Sequence, residues 1–294
     1  MSNIDLLALT GRDKDHLVQK VKNFSDVPSS KLTWPMMMTE KIDGVYCLCV
    51  KHDNEVGIFS RTGERYTSMK HIESAMMRQL DEGDVVIYEA YEPGKPQNII
   101  SGHCRDTKNQ WTSIIPYCHQ YMSLEEFISG VGTTTAAESY ETLGRIVWNT
   151  FMQRIESWNM YNLEQTMGFV REIWNRGGEG VVMRVPDSVF KAGKRNNDVI
   201  RIKQKITYDL EVLDVFEGKG KYAGMCGGLI LKFKDGKEVR VSGMSDNERR
   251  LWWSDSGTIV GKVIEVEAMK DSSKGVLREP RYIAIRHDKV KGDF

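Results

Sequence analysis

A lysine, an acidic residue and a glycine stand directly before an apolar run, at Lys41-Ile42-Asp43-Gly44. A lysine amine can attack a phosphorus centre, but its reference pKa of about 10.4 makes the neutral form cost up to about 4.6 kcal/mol at pH 7. Nearby cations lower that cost, and phosphate oxygens need positive charge from Lys, Arg or a metal held by carboxylates. The tetrapeptide alone is weak evidence, because Asp-Gly is also a common turn.

Residues of the kinds that this chemistry needs recur along the chain beside predicted strands. In chain order they are Ser60-Arg61-Thr62-Gly63, Glu89 within Tyr88-Glu89-Ala90-Tyr91, Glu179-Gly180-Val181-Val182, Lys203-Gln204-Lys205 and a C-terminal run from Gly275 to Lys289. With the Lys41 motif, this order resembles the covalent nucleotidyltransferases, the superfamily of ATP-dependent DNA ligases, RNA ligases and mRNA capping enzymes. The C-terminal run resembles the closing element of DNA ligases, and the resemblance spans residues 39 to 289.

The resemblance implies an enzyme that seals nicks in DNA. Such an enzyme moves AMP from ATP to a lysine, then to a DNA 5′-phosphate, and releases AMP when a 3′-hydroxyl attacks. Its cofactors would be ATP and Mg²⁺ or Mn²⁺, and its partner nicked duplex DNA. The implied type is the compact two-domain ligase of bacteriophages and other viruses. We expect a monomer that works in the cytoplasm, or in the host cytoplasm if the protein is viral.

The same resemblance implies a role for each matching residue. Lys41 would be the nucleophile that becomes adenylated, and Asp43 would lie near the reacting phosphate. Glu179 would hold the metal, and Glu89 would bind the ribose hydroxyls and serve as a second metal ligand. The remaining nucleotide-binding residues would be Thr39, Glu40 and Ile42 along the adenine, Arg61 at the ribose or the DNA 5′-phosphate, Tyr117 stacked on adenine with Tyr121 as its rival, Lys194, Lys203 and Lys205 at the phosphates, and Arg286, Asp288 and Lys289 at the leaving pyrophosphate.

One position departs from the family pattern. The family commonly has Lys-x-Asp-Gly-x-Arg, with arginine or lysine last, where this chain has Tyr46. The lost cation would normally help to position the ribose or a phosphate. Either Arg61 and neighbouring basic residues compensate, or the affinity for ATP is reduced.

Two other functions compete with DNA nick sealing. An RNA ligase or an mRNA-capping guanylyltransferase would use the same residues, and the choice between ATP and GTP is not readable from the sequence. The C-terminal run favours a DNA ligase. A non-catalytic nucleic-acid-binding protein with a decayed nucleotide domain is the third possibility, and only Tyr46 supports it.

Hydrophobic periodicity predicts an α+β fold in two domains. Residues 1–208 would form a nucleotidyltransferase domain of antiparallel sheets with flanking helices. Its predicted strands are 45–50, 56–59, 84–91, 112–118 and 180–185, and its predicted helices are 68–80, one opened by Ser123 and Glu126, 136–158 and 162–176. Residues 209–294 would form a small OB-fold barrel. Its predicted strands are 211–216, 228–233, 238–242, 260–269 and 282–285, with a short helix capped by Ser245 and Glu248.

Composition narrows the class of protein further. Lys+Arg and Asp+Glu both number 41, so a surface for nucleic acid must come from local clusters such as residues 191–205 and 278–291. No apolar run is long enough for a membrane span, and the N-terminus lacks the apolar core of a signal peptide. The five cysteines predict buried, reduced thiols, since His103-Cys104 and Cys118-His119 do not have the spacing of zinc sites.

Overall fold

The computed structural model describes residues 4–145, 152–269 and 276–294. The chain divides into two compact units, Met1–Ile202 and Lys203–Phe294. The predicted domain boundary near Asp209 lies a few residues further on, within the first long strand of the second unit. The limits 1–208 and 209–294 therefore stay a prediction. Among the described residues, no helix is both long and apolar enough to cross a membrane.

The first unit contains six helices and thirteen strands among its described residues. The helices are α1 (Leu6–Thr10), α2 (Lys70–Gln79), α3 (Gln97–Arg105), α4 (Leu124–Ser129), α5 (Ala136–Leu143) and α6 (Leu163–Asn175). The strands are β1 (Lys20–Asn23), β2 (Met36–Glu40), β3 (Val45–His52), β4 (Glu55–Ser60), β5 (Arg65–Tyr66), β6 (Asp84–Tyr91), β7 (Ile115–Ser123), β8 (Val131–Thr135), β9 (Gln153–Arg154), β10 (Ser157–Met160), β11 (Gly180–Arg184), β12 (Val189–Lys191) and β13 (Arg195–Lys203). They form a six-stranded sheet ordered β5-β4-β3-β6-β7-β9, a five-stranded sheet ordered β1-β13-β11-β2-β10, and the pair β12-β8.

The six-stranded sheet is apolar on both faces. On β3, Cys47 and Cys49 point to the core that contains Ile72 of α2, whereas the alternate residue Leu48 packs with Phe127 of α4 on the opposite face. Cys47 and Cys49 therefore face the same side of the sheet. All five cysteines of the chain are buried, as predicted. Burial raises the pKa of four of these thiols, those of Cys47, Cys49, Cys118 and Cys226.

The five-stranded sheet positions two of the predicted motifs side by side. Strands β2 and β11 are antiparallel neighbours, with Met38 opposite Met183 and Thr39 opposite Val182. Met38 and Met183 pack in a core that contains Ile173 of α6. Because side chains alternate along a strand, Thr39 and Val182 point to the other face. On that face, Thr39 lies two residues before Lys41 and Val182 lies three residues after Glu179.

Predicted helix ends agree with the structure where capping residues define them. Ser123 and Glu126 form both bonds of a capping box at α4, and Asn162 caps α6. The predicted helix 136–158 is wrong over its last part. Helix α5 ends at Leu143, residues 146–151 lie outside the described residues, and residues 157–160 form β10, which pairs with β2. Pairing with a strand more than a hundred residues away overrides the local preference.

The second unit is a small barrel with one helix. Its elements are β14 (Ile206–Glu217), β15 (Cys226–Lys232), β16 (Glu238–Val241), α7 (Asp246–Ser254), β17 (Val263–Met269) and β18 (Arg278–Ile285). The sheet order is β16-β15-β14-β17-β18, and Ser242 after β16 bridges Arg281 of β18 in parallel, which brings the two edges together. Trp252 of α7 is buried in the core of this unit. The predicted five strands with one capped helix are confirmed, although β14 begins earlier than expected.

Candidate active site

The Lys41 motif forms the turn between β2 and β3. Backbone N–H of Lys41 donates to Gly180 O at 2.9 Å, which continues the pairing of β2 with β11. The chain then turns at Gly44 and passes so close to β6 that an added Cβ would lie 2.5 Å from Ala90 O. Only glycine fits this position without displacing backbone. The glycine of the motif therefore sets how closely the lysine loop approaches the six-stranded sheet.

Lys41 forms an ion pair with Glu179. The distance from Lys41 Nζ to Glu179 Oε2 is 2.6 Å, and the carboxylate side chain is only 8% exposed. Glu179 follows the end of α6, where Gly177 has a left-handed φ of 86°, and precedes β11. Two motifs far apart in sequence thus meet at one contact. The amine must leave this pair before it can attack a phosphorus centre.

Glu89 is a second carboxylate of the same site. It lies on β6 between Tyr46 of β3 and Tyr117 of β7, its cross-strand partners. Burial raises the pKa of Glu89 to about 7, with smaller effects from the neighbouring carboxylates and opposing effects from neighbouring cations. The neighbours that act on it are Lys41, Glu179, Asp43 and Arg61. The structure therefore groups five of the predicted site residues.

Arg61 projects from the tight turn between β4 and β5. The hydroxyls of Ser60 and Thr62 hydrogen bond at 2.9 Å, and the N–H of Gly63, with a φ of 86°, donates to Ser60 O. Arg61 itself is exposed. A constrained turn with an exposed guanidinium beside Glu89 provides a donor for a phosphate or a ribose.

The residues around the nucleophile make other contacts in this structure. Glu40 is bound by the guanidinium of Arg176, which follows α6. Thr39 is buried, and its hydroxyl lies 3.4 Å from Val182 O, whereas Ile42 is partly exposed. Sequence reasoning missed Arg176, for which no motif gave an indication. The predicted adenine-binding roles of Thr39, Glu40 and Ile42 stay predictions.

The two candidate stacking tyrosines have different surroundings. Tyr117 lies across from Glu89 and meets Tyr91 edge to face at 5.7 Å. Tyr121 donates its hydroxyl to Asp84 at 2.7 Å and packs against the core that contains α2. Only Tyr117 is a neighbour of a predicted nucleotide ligand, so it remains the preferred candidate.

Lys194 lies in the turn before β13 and is exposed. Its backbone oxygen accepts the N–H of Lys20 at 2.9 Å. Within the described part of the chain, no hydrogen bond or ion pair joins its side chain to Lys41, Glu89 or Glu179. Its predicted contact with a phosphate stays a prediction.

The other predicted cations belong to the second unit. Lys203 Nζ lies 3.4 Å from Met269 Sδ, and Lys205 pairs with Glu267 at 2.8 Å. Arg286 donates to both oxygens of Asp209, at 2.8 and 2.9 Å, and Lys289 also binds this carboxylate. Asp288 adds a second carboxylate to Arg286, at 2.7 Å. Arg286, Asp288 and Lys289 therefore form one cluster organised by Asp209, a residue that sequence reasoning did not single out.

Asp288 and Arg286 hold each other in their charged forms. Hydrogen bonding to Arg286 lowers the pKa of Asp288 to about 2. The same hydrogen bond, with the charge of Asp209, raises the pKa of Arg286. Asp209 is only 7% exposed, so the base of the cluster is shielded from water. Arg286 and Asp288 therefore both stay charged throughout the ordinary pH range.

Two family models match the chain. The model of the ATP dependent DNA ligase domain matches residues 16–203, and that of the DNA ligase OB-like domain matches residues 217–286. These matches favour a DNA ligase over an RNA ligase or a capping enzyme. They also span both units of the structure.

Named relatives agree with the family models. A probable DNA ligase of Pseudarthrobacter chlorophenolicus is 33% identical over 149 residues, covering 42% of this chain and 28% of that protein. One of Dictyoglomus thermophilum is 24% identical over 247 residues, covering 72% and 38%. The chain thus spans less than two-fifths of the length of these curated relatives.

Solved ligase structures share the fold. A Lig E DNA ligase superposes with a TM-score of 0.72 at 16% identity, covering 92% of this chain and 98% of that one. The ATP-dependent DNA ligase of bacteriophage T7, in complex with ATP, gives 0.55 at 18% identity, covering 93% and 99%. At these identities the likeness concerns the fold alone. Because the model of the ATP dependent DNA ligase domain matches residues 16–203, more than half of the chain, the chain belongs to the ATP-dependent DNA ligase family.

Proposed function

We propose that this chain is an ATP-dependent DNA ligase that joins a 5′-phosphate to a 3′-hydroxyl at nicks in duplex DNA. The observation that carries the proposal is the contact of Lys41 with Glu179, beside the buried carboxylate of Glu89, in a chain of the DNA ligase family. A nucleophile, two carboxylates and the guanidinium of Arg61 are the groups that adenylyl transfer requires.

In the first step, the Lys41 amine forms a bond to the α-phosphorus of ATP, and the bond to pyrophosphate breaks. The amine loses its proton and carries AMP as a phosphoramidate. Next, an oxygen of the DNA 5′-phosphate displaces the lysine from AMP. Finally, the 3′-hydroxyl attacks the DNA phosphate and AMP leaves. Asp43, two residues after Lys41 and within electrostatic reach of Glu89, acts near the reacting phosphate in the later steps.

Glu179 and Glu89 fit a divalent metal such as Mg²⁺ or Mn²⁺. Two carboxylates lie in one site, and their proximity contributes to the raised pKa of Glu89, a cost that a cation offsets. A metal held there would supply positive charge to the phosphate oxygens. A cation held by Glu179 would compete with the Lys41 amine for this carboxylate and so would favour the unpaired amine. A bound metal would therefore favour the ionised form of Glu89 as well as the unpaired amine of Lys41.

We assign the remaining predicted residues to the nucleotide on the basis of the family resemblance. Thr39, Glu40 and Ile42 border the adenine, and Tyr117 stacks on it. Lys194, Lys203 and Lys205 bind phosphate oxygens, while Arg286, Asp288 and Lys289 orient the leaving pyrophosphate. The sharing of one buried carboxylate by Arg286 and Lys289 supports this last role, because it holds two cations side by side, as the binding of a polyanion requires.

Nicked duplex would be bound mainly through phosphates by a monomeric enzyme in the cytoplasm. Binding should therefore depend little on sequence and weaken strongly with salt.

The decisive experiment combines ATP, Mg²⁺ and a nicked duplex with the purified chain. We expect sealing, and mass spectrometry should place one acid-labile, base-stable AMP on Lys41. Lys41→Ala should abolish both without unfolding the protein, since a partly exposed lysine contributes little to stability. The matched control is Lys31→Ala, which removes an exposed lysine of the same unit. AMP on another residue, or on none, would overturn the proposal, and parallel labelling with GTP tests the capping alternative.

A further inference from the structure

Arg184, at the end of β11, is a guanidinium without a carboxylate. It is half-buried, and desolvation lowers its pKa, although an arginine stays charged at any ordinary pH. A buried charge is normally paired. Among residues 4–145, 152–269 and 276–294, no carboxylate lies within ion-pair distance of Arg184. Among the described residues, the hydrogen bond of its guanidinium joins Nη2 to Nδ1 of His119 at 3.2 Å.

His119 owes its orientation to a β-bulge in β7. Ile87 of β6 pairs with Gln120 and Tyr88 pairs with Cys118, so His119 is the extra residue between them. Such a bulge redirects side chains, and here His119 and Gln120 border the same cleft. Since a guanidinium only donates, Nδ1 must accept and the ring proton lies on Nε2. Burial lowers the pKa of His119, with Arg184 and Lys41 adding to the effect, so the ring is neutral.

The cleft beside Arg184 offers donors and no acid. Its polar lining includes Gln19, Gln120, Thr134 and Ser188, with no Asp or Glu among the described lining residues. The hydroxyls of Thr134 and Ser188 already donate to Glu126 and to Val185 O, whereas Gln19 Nε2 is buried and has no hydrogen-bond partner among the described residues. Neighbouring carboxylates are already engaged. Asp198 of β13 pairs with Lys191 at 2.8 Å, and Glu138 of α5 caps its own helix at Thr135. The charge of Arg184 therefore dominates the cleft, and the ligand that fits it is an anion.

Tyr46 connects this cleft to the candidate active site. Its ring centroid lies 6.0 Å from that of His119, and it is the cross-strand partner of Glu89. Tyr46 occupies the position where the family pattern has arginine or lysine. Strand β3 therefore lacks the cation of the family pattern, whereas β11 carries Arg184, which is hydrogen bonded to the histidine beside Tyr46, His119.

We propose that Arg184 and His119 form a phosphate subsite that replaces the cation missing at Tyr46. The guanidinium donates to His119 with one N–H, which leaves its other hydrogens and Nε2–H of His119 as donors for phosphate oxygens. This inference rests on the proposed function. The phosphate belongs either to the nucleotide or to the 5′ end at the nick, and two assays distinguish them.

The test compares the wild type with Arg184→Gln in two assays. The first measures the rate of Lys41 adenylation as a function of ATP concentration. The second measures binding of the adenylated enzyme to nicked duplexes that carry either a 5′-phosphate or a 5′-hydroxyl. Loss of a hydrogen-bonded charge corresponds to about 10- to 100-fold in affinity. A KM for ATP raised by that factor with little change in kcat identifies the nucleotide phosphate. A 5′-phosphate preference reduced by that factor identifies the nick.

Three variants make the test specific. Arg171→Gln removes an exposed arginine of the same unit and should behave like the wild type. Arg184→Lys keeps the charge but lacks the planar guanidinium, so its KM for ATP or its 5′-phosphate preference should lie between those of the wild type and Arg184→Gln. If Arg184→Gln does not fold, Arg184→Lys takes its place in both assays. His119→Ala should change the same parameter as Arg184→Gln, in the same direction. Folded variants with unchanged KM and unchanged 5′-phosphate preference, or with equal loss for both duplexes, would overturn the inference. A wild type that adenylates Lys41 keeps that failure separate from failure of the proposed function.

Discussion

In the first unit, three carboxylates surround one lysine and one arginine, whereas in the second unit two cations share the buried carboxylate of Asp209. The first arrangement has fewer cations than carboxylates, and burial, with a smaller effect of the neighbouring carboxylates, raises the pKa of Glu89 to about 7. The second is balanced, since Asp209 and Asp288 match Arg286 and Lys289 in charge. An incoming cation therefore improves the first site. An incoming anion must compete with carboxylates in the second.

The sharpest test of this difference is removal of the carboxylate that holds Lys41. Glu179→Ala removes both the ion-pair partner and a proposed metal ligand, so adenylation should fall by about 100- to 1,000-fold. Raising the Mg²⁺ concentration should restore only part of the rate, as single-turnover labelling with α-labelled ATP would show. Glu172→Ala, an exposed carboxylate on α6, is the control. Activity close to wild type would mean that the site is not short of positive charge in the way the contacts indicate.

Glu89→Gln tests the electrostatic cost itself. The pKa of Glu89 is raised from 4.5 to about 7, so the folded state binds this proton more tightly and stability is lost as pH rises through that interval. Glutamine has no carboxyl group to ionise, so the Glu89→Gln variant does not lose this stability as pH rises. The variant should exceed the wild type in free energy of unfolding above pH 7, by at most about 3 kcal/mol, and match it near pH 4.5. Urea unfolding at pH 5 and pH 8 measures this.

The control Glu172→Gln keeps Glu89, so its free energy of unfolding should change between pH 5 and pH 8 as that of the wild type does. A Glu89 variant that is less stable at both pH values would indicate that the carboxylate is stabilised rather than strained by its surroundings.

Arg286→Ala tests the second unit, where the effect should be confined to one chemical step. If Arg286 orients the leaving pyrophosphate, adenylation should fall by about 10- to 100-fold, the range for a hydrogen bond to a charged group. Sealing of a nick that already carries 5′-AMP should stay near the wild-type rate, because pyrophosphate has left by then. Single-turnover rates of both steps check this, with Arg250→Ala of the same unit as control. Equal losses in both steps would show that the cluster contacts DNA.

Local patterns in the sequence predicted much of this fold. Capping boxes and glycine turns specified α4, α6 and α7, and runs of apolar, β-forming residues specified β3 and β6. Strands β9 and β10 were missed because their partners lie far away in sequence. Short strands of this kind carry little periodicity of their own.

The candidate site was predictable where residue type alone indicates chemistry. The order of the Lys41, Glu89 and Glu179 motifs gave the residues that the structure gathers. Arg184 and Asp209 were not found, for different reasons. Arg184 depends on a one-residue bulge at His119, and Asp209 depends on a contact with Arg286 at the other end of the second unit. A local sequence pattern predicts neither the position of a β-bulge nor an ion pair between residues that are far apart in the chain.

The five buried thiols have a practical consequence for labelling this protein in solution. Maleimide dyes react with exposed thiolates, and burial keeps the native cysteines out of reach. A single cysteine introduced at an exposed position in each unit would therefore carry a fluorophore without removing any native residue. Distance measurements between two such dyes would then test whether the distance between labelled sites in the two units changes on addition of ATP or nicked DNA, with the native core left intact.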